Sequence, residues 1–238
     1  MKVIKITPRG YCHGVVSALQ DVAIAMQNKK LKRPIYILGE IVHNHIITDA
    51  FSSHGVITLN GKTREELLDE IETGTVIITA HGASYKVIAK AIDKGLDVID
   101  ATCVDVYKTH DLIKEKTKAG YDVLYIGKKN HPEPEGSIAI NPEKIHLISS
   151  IEDLENLHID NNKIIITNQT TMSMWDTIKI IEKSKLLFPN IEIHNEICMA
   201  TQQRQEAVYE NADNIDLLIV VGDVNSNNTN RLAQIAQE

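Results

Sequence analysis

The chain has 238 residues, 43% hydrophobic and 24% charged, which is enough for one sizeable core or two or three smaller ones. Its net charge of −7 argues against a basic groove for nucleic acid, and no apolar run approaches the roughly 18 residues of a membrane helix. Three widely spaced cysteines make no disulfide framework, so the expectation is a cytoplasmic protein in a reducing compartment, with neither nucleic acid nor membrane as partner.

Aromatic residues make up only 4%, so the core must be aliphatic. Residues 3–6 read as a short strand and not as a signal peptide. Gly10-Tyr11-Cys12-His13-Gly14 is a turn, and residues 15–26 carry a helical pattern. Residues 35–38 form a strand followed by Gly39-Glu40-Ile41-Val42-His43-Asn44. Residues 64–71 make an acidic amphipathic helix, and 76–79 a strand before Ala80-His81-Gly82. A helix over 85–94 leads into Asp97-Val98-Ile99-Asp100-Ala101-Thr102-Cys103. This β-branched run ends on a cysteine, as a buried parallel strand does when it delivers a side chain at its carboxyl end.

After a helix over 107–119 the alternation starts again. A strand at 121–126 precedes Gly127-Lys128-Lys129-Asn130-His131-Pro132-Glu133-Pro134-Glu135-Gly136, read as a rigid turn. A strand at 164–167 precedes Asn168-Gln169-Thr170-Thr171, and Trp175 opens the next helix. A strand at 191–194 leads to Cys198, a helix spans 202–209, and a strand at 217–221 runs into a loop rich in Asn and Ser. Alternating strands and helices predict an α/β fold with mostly parallel sheets. The spacing suggests three small modules, 13–103, 104–197, and 198–238 together with 1–12.

Cys12, Cys103 and Cys198 each sit beside a strand end or helix start, flanked by small or polar residues. Taken singly, each reads as a buried apolar thiol. A structural zinc site usually shows close cysteine pairs, which are absent here. Three isolated thiolates suit a [4Fe–4S] cluster with one iron free of protein ligand, a Lewis-acidic position.

Of ten histidines, His43, His81 and His131 follow strands beside Asn, Gly or Pro, and three imidazoles in one cavity can donate hydrogen bonds to an anion. Prolines flank Glu133 and fix where its carboxylate points. Partly desolvated near anions, that group would have a raised pKa and deliver a proton. Glu135 is second choice for the acid, and a rigid acidic surface turn is the plain alternative. The loop Asn225-Ser226-Asn227-Asn228-Thr229-Asn230 supplies N-cap groups and free N–H donors that suit phosphate, without the Walker A arrangement. The loop around Thr170 has the same two readings, phosphate site or capped turn. Neutral donors in an acidic protein suit a small diphosphate better than a polymer.

Together, Tyr11-Cys12-His13-Gly14-Val15, Gly39-Glu40-Ile41-Val42-His43-Asn44, Ala80-His81-Gly82, Asp100-Ala101-Thr102-Cys103, His131-Pro132-Glu133, Gln169-Thr170-Thr171 and the stretch from Asn225-Ser226 to Arg231-Leu232 resemble the LytB family, the 4-hydroxy-3-methylbut-2-enyl diphosphate reductases. The likeness spans nearly the whole chain, in order. It implies three α/β modules in pseudo-threefold arrangement around a central [4Fe–4S] cluster held by Cys12, Cys103 and Cys198. It implies His43, His81, His131, Thr170, Ser226, Asn227 and Asn228 as substrate contacts, with Glu133 and Thr170 catalytic. The implied reaction is a two-electron, two-proton reductive loss of hydroxyl from an allylic diphosphate, giving isopentenyl and dimethylallyl diphosphates. The implied electron donor is a ferredoxin or flavodoxin. Asn227 stands where a serine is expected, and His13 where an aromatic residue is usual. Similar proteins continue past the position of Glu238 with a segment that supplies another phosphate-binding serine, so the third module is expected to be truncated. Two other readings remain open on the residues alone: an iron–sulfur dehydratase or condensing enzyme in the manner of quinolinate synthase, and a non-catalytic iron–sulfur sensor or zinc-stabilised module.

Overall fold

The computed structural model describes residues 2–213, 215–224 and 226–237. The first half contains α1 (His13–Gln27), β1 (Ile35–Leu38), α2 (His45–Ser53), β2 (Val56–Leu59), α3 (Arg64–Asp69), β3 (Thr75–Ile78), α4 (Tyr85–Asp93) and β4 (Asp97–Asp100). The second half repeats this order with α5 (Val104–Lys118), β5 (Asp122–Ile126), α6 (Pro132–Ile138), β6 (Ile145–Ile148), α7 (Ile151–Glu155), β7 (Ile164–Asn168), α8 (Met174–Leu187) and β8 (Glu192–Ile193). Helices α9 (Met199–Ala212) and α10 (Asn227–Ile235) follow and pack on each other.

Each half folds into a four-stranded, all-parallel sheet, with order β2-β1-β3-β4 in the first and β6-β5-β7-β8 in the second. Their sequences dictate it. The strands are short apolar runs rich in Ile and Val, and alternate side chains serve opposite faces. Ile35, Ile37 and Ile77 pack with Ala18 and Val22 of α1. Leu38, Val76 and Ile78 pack with Leu67, Leu68, Val87 and Ala91 of α3 and α4. In the second sheet, Val123, Tyr125 and Ile165 meet Ile113 of α5. Leu124, Ile126, Ile164 and Ile166 meet Leu154 and Ile180 of α7 and α8. With both faces covered, side chains that bind a ligand must project from the strand ends.

The strand order places a topological switch point between β1 and β3 and another between β5 and β7, where open α/β sheets leave a crevice at their carboxyl ends. His43 follows β1, His81 follows β3, His131 and Glu133 follow β5, and Thr170 follows β7. The predicted site residues of the two halves therefore leave from four equivalent strand ends.

The structure corrects several sequence-based expectations. Residues 3–6 and 217–221 form no strand among the described residues. Their composition suits a strand, yet a strand exists only when a neighbour takes its hydrogen bonds. Leu217 and Val221 are 76% and 91% exposed accordingly. Between 198 and 237 the described residues therefore contribute helices α9 and α10 and no strand. The stretch at 131–136, read as a turn, opens α6, because Pro132 occupies the first helical position, where a missing N–H costs nothing. Helices α2 and α7 and strands β2 and β6 are additional.

Candidate active site

The three cysteines occupy equivalent places: Cys12 caps α1, Cys103 caps α5 and Cys198 caps α9. Each has extended φ and ψ, so the chain arrives as a strand-like segment and turns into a helix at the sulfur. The positive ends of three helix dipoles therefore converge on three thiols. The N–H of Cys103 donates to the Ala80 carbonyl at 3.0 Å, beside His81, and the N–H of Cys198 donates to the Thr170 carbonyl at 3.0 Å. Residues far apart in sequence are thereby sewn to the same strand ends.

Gly14 is required at its position. A Cβ there would stand 2.5 Å from Cys103 Sγ. The sulfurs are near enough for Cys12 and Cys198 to raise the Cys103 pKa, behind the larger effect of burial and partly countered by the Asp105 backbone N–H. Burial likewise pushes the Cys198 thiol up, against hydrogen bonds from Thr201. Yet the three sulfurs are not all within 4.8 Å of one another; the set that is so close among the described residues is His13, Cys103 and Asp105. Thiolates on a single zinc ion would lie closer together, since Zn–S bonds are about 2.3 Å. Three converging thiols with wider spacing, each at a helix N-terminus, fit a polynuclear iron–sulfur group.

The imidazoles form a row. The His43 and His81 ring centroids are 5.8 Å apart, and His81 and His131 meet edge to face at 4.9 Å. Burial lowers His81 well below the ordinary range, helped by the charges of His131, His43 and Arg64. Burial, then His43, Arg64 and Lys128, bring His131 down to about 4. Both are neutral donors at neutral pH. His131 also caps α6: its Nδ1 accepts from the Glu133 N–H at 3.2 Å, which leaves its proton on Nε2. His43 Nδ1 faces Glu40 Oε2 at 2.7 Å, fixing its other nitrogen away from that carboxylate.

Glu133 is 1% exposed, and burial raises its carboxyl to about 7. Hydrogen bonds oppose the rise: the Thr170 N–H donates to Oε1 at 2.7 Å and the Thr170 hydroxyl donates to Oε2 at 3.1 Å. The fully buried Tyr125 hydroxyl stands behind this carboxyl, near Ser137, without a bond of good geometry. Glu135 lies exposed on α6, away from this pair.

Ser226 caps α10 through its hydroxyl and the Thr229 N–H at 3.3 Å. Asn227 Nδ2 donates to the Thr171 carbonyl at 3.0 Å, and Lys128 donates to Asn227 Oδ1. Thr201 Oγ1 stands 3.5 Å from Asn228 Oδ1 and 3.0 Å from Cys198 Sγ. The N-terminus of α10 is thereby joined to the Thr170 loop and to the third cysteine. Asn225 lies outside the described residues. Sequence reasoning missed Arg64, Lys128 and Tyr125. Arg64 entered only as part of the 64–71 helix, Lys128 as part of the loop after 121–126, and Tyr125 as part of that strand.

A model of the LytB protein family matches residues 3–238. A 4-hydroxy-3-methylbut-2-enyl diphosphate reductase of Geobacillus kaustophilus is 58% identical over all 238 residues, and one of Anoxybacillus flavithermus is 59% identical. The chain spans about three quarters of each, 75% and 76%. The solved E-1-hydroxy-2-methyl-but-2-enyl-4-diphosphate reductase of Plasmodium falciparum superposes with a TM-score of 0.89 at 35% identity, covering 98% of this chain and 72% of that one. A second solved structure, titled as the terminal enzyme of the non-mevalonate pathway, gives a TM-score of 0.77 at 31% identity, covering 99% and 82%. Those agreements, along the whole chain and through the strand ends just described, make this protein a member of the LytB family.

Proposed function

We propose that this chain is a [4Fe–4S]-dependent 4-hydroxy-3-methylbut-2-enyl diphosphate reductase. It would convert the (E)-hydroxyallylic diphosphate to isopentenyl and dimethylallyl diphosphates with two electrons and two protons. The observation that carries the reading is Glu133: a fully buried carboxyl with a pKa of about 7, held by Thr170, whose carbonyl in turn receives the N–H of Cys198. A proton donor and a metal-ligating thiol thus share one residue as their link.

Cys12, Cys103 and Cys198 would hold the cluster, which when bound supplies electron transfer and an iron position without a protein ligand. The chain's own residues do the rest. His43, His81 and His131, with Thr170, Ser226, Asn227 and Asn228, bind the diphosphate through N–H and O–H donors, His81 and His131 as neutral rings, and through the N-terminus of α10. Neutral imidazoles suit this task, because N–H donors hold a polyanion without exchanging protons with it. As the C–O bond breaks, Glu133 delivers a proton by way of the Thr170 hydroxyl, so the departing oxygen leaves as water. Two electrons from a ferredoxin- or flavodoxin-type protein and a second proton at carbon complete the balance. Three free thiols belong with a reducing cytoplasm.

The test is anaerobic turnover of the hydroxyallylic diphosphate with reduced methyl viologen. Wild-type protein should oxidise the dye and release both products, while Glu133→Gln should bind iron and substrate and turn over at least 100-fold more slowly. Normal turnover by that variant would overturn the acid assignment. Protein that carries zinc and no iron would overturn the enzyme reading itself.

A further inference from the structure

Arg64 sends its side chain from α3 to the ends of β1 and β3. It opens α3 directly after Thr63, whose side chain and Glu66 form a capping box. Arg64 is buried, with 5% of the residue exposed. It makes three hydrogen bonds, all to neutral oxygens: Nε to the Leu38 carbonyl at 3.3 Å, Nη2 to Thr79 Oγ1 at 2.7 Å, and Nη1 to the Gly82 carbonyl. Leu38 ends β1, on the path to His43; Thr79 and Gly82 flank His81 after β3. Among the described residues no carboxylate stands within ion-pair distance of it, although Glu135 and Asp100 act on it from farther away.

A buried cation without a paired anion is costly, and such groups persist where a charge of opposite sign arrives later. The donors proposed above to bind the diphosphate lie close to it. Arg64's charge is felt at both His81 and His131, two members of the imidazole row. Those rings are neutral and cannot themselves balance a polyanion. Lys128 is an exposed cation beside His131 and Asn227; Arg64 adds a buried positive charge, and its three bonds hold the loops that carry the donors.

Resting on the function proposed above, we propose that Arg64 is the buried counter-charge for the diphosphate: a positioning residue that touches no substrate atom, draws the anion to the imidazole row, and fixes the ends of β1 and β3. A contribution felt equally by bound substrate and transition state alters KM and leaves kcat nearly unchanged.

Iron-loaded protein under argon is titrated with inorganic diphosphate in a calorimeter, and the hydroxyallylic diphosphate is then assayed with reduced methyl viologen. Arg64→Gln should bind inorganic diphosphate about 10- to 30-fold more weakly. Its KM should rise in step, with kcat changed less than about threefold. Arg64→Lys, which keeps the charge and loses the fork of hydrogen bonds, should stay within about threefold of wild type. Wild-type affinity in the Gln variant, or equal losses in Lys and Gln, would overturn the proposal; equal losses mean a clamp without an electrostatic part. If Arg64→Gln does not fold, the Lys variant decides alone. A buried ammonium loses its proton well before a guanidinium does, so its affinity should fall more steeply than wild type as pH rises above neutrality. His81 and His131, which face this position, are already neutral there, while Glu135 and Asp100 are common to both proteins. Parallel pH curves would overturn the proposal. A wild-type protein that turns over the substrate while Arg64 variants match it defeats this inference alone. A wild-type protein that neither binds diphosphate nor turns over defeats the proposed function as well.

Discussion

Glu133 shows what burial does to a single group. Its folded pKa of about 7 exceeds the ordinary carboxylate value of 4.5, so the folded state binds more protons than the unfolded one between those pH values. The sign is therefore a loss of stability as pH rises through that window, amounting to roughly 3 kcal/mol once ionisation is complete. Glu133→Gln should melt higher than wild type at pH 8, with the gap closing toward pH 5, as followed by circular dichroism. Turnover should fall above pH about 7 as the acid loses its proton. Gly14 offers a steric test. Gly14→Ala places a methyl group 2.5 Å from Cys103 Sγ, so iron and sulfide per chain should drop sharply in a colorimetric assay while far-ultraviolet dichroism is retained. A neighbouring glycine, Gly82, has φ +76°, and an added Cβ would meet Thr102 at 3.1 Å, so that turn also excludes a side chain.

At the scale of elements, the recurring unit is a cap followed by a helix. Asn227 joins α10 to two loops by bonds to the Thr171 carbonyl and from Lys128. Asn227→Ala should weaken this docking by roughly 1–2 kcal/mol. The expected kinetic result is a KM raised about tenfold with kcat within a factor of three, measured by dye-linked assay. The central strands β1, β3, β5 and β7 were legible in the sequence because unbroken Ile- and Val-rich runs have few other uses in a chain of this composition. The placement of Cys103, His43, His81, His131 and Glu133 at strand ends was legible because each comes after such a run, whereas Cys12 follows no strand among the described residues. What could not be read was whatever depends on a neighbour. Residues 217–221 have the composition of a strand, but pairing is a property of two segments. Pro132-Glu133-Pro134-Glu135-Gly136 has turn-forming residues, yet Asn130, at φ 61°, and the His131 cap steer it into a helix. Arg64 was hidden because an arginine on an acidic amphipathic helix ordinarily faces water.

Over the whole molecule, two sheets of equal strand order bring His43, His81 and His131 together from the ends of β1, β3 and β5, and α10, packed on α9, reaches the Thr171 loop through Asn227. No helix is long and apolar enough to cross a membrane among the described residues. On the proposed function a cluster held by Cys12, Cys103 and Cys198 would tie three helix starts together, so removing iron with a chelator under reducing conditions should lower the melting temperature and broaden the transition, as scanning calorimetry would record. An unchanged melting curve would mean that the loops are held without metal. The placement of Cys12 near the beginning of the chain and Cys198 far along it also sets a schedule for biosynthesis. While the ribosome is still working, the early thiol has no companions, and the middle one only a single partner. On the proposed function, no metal that needs all three thiols can be completed before Cys198 has left the ribosome, so until then Cys12 and Cys103 stay open to oxidation.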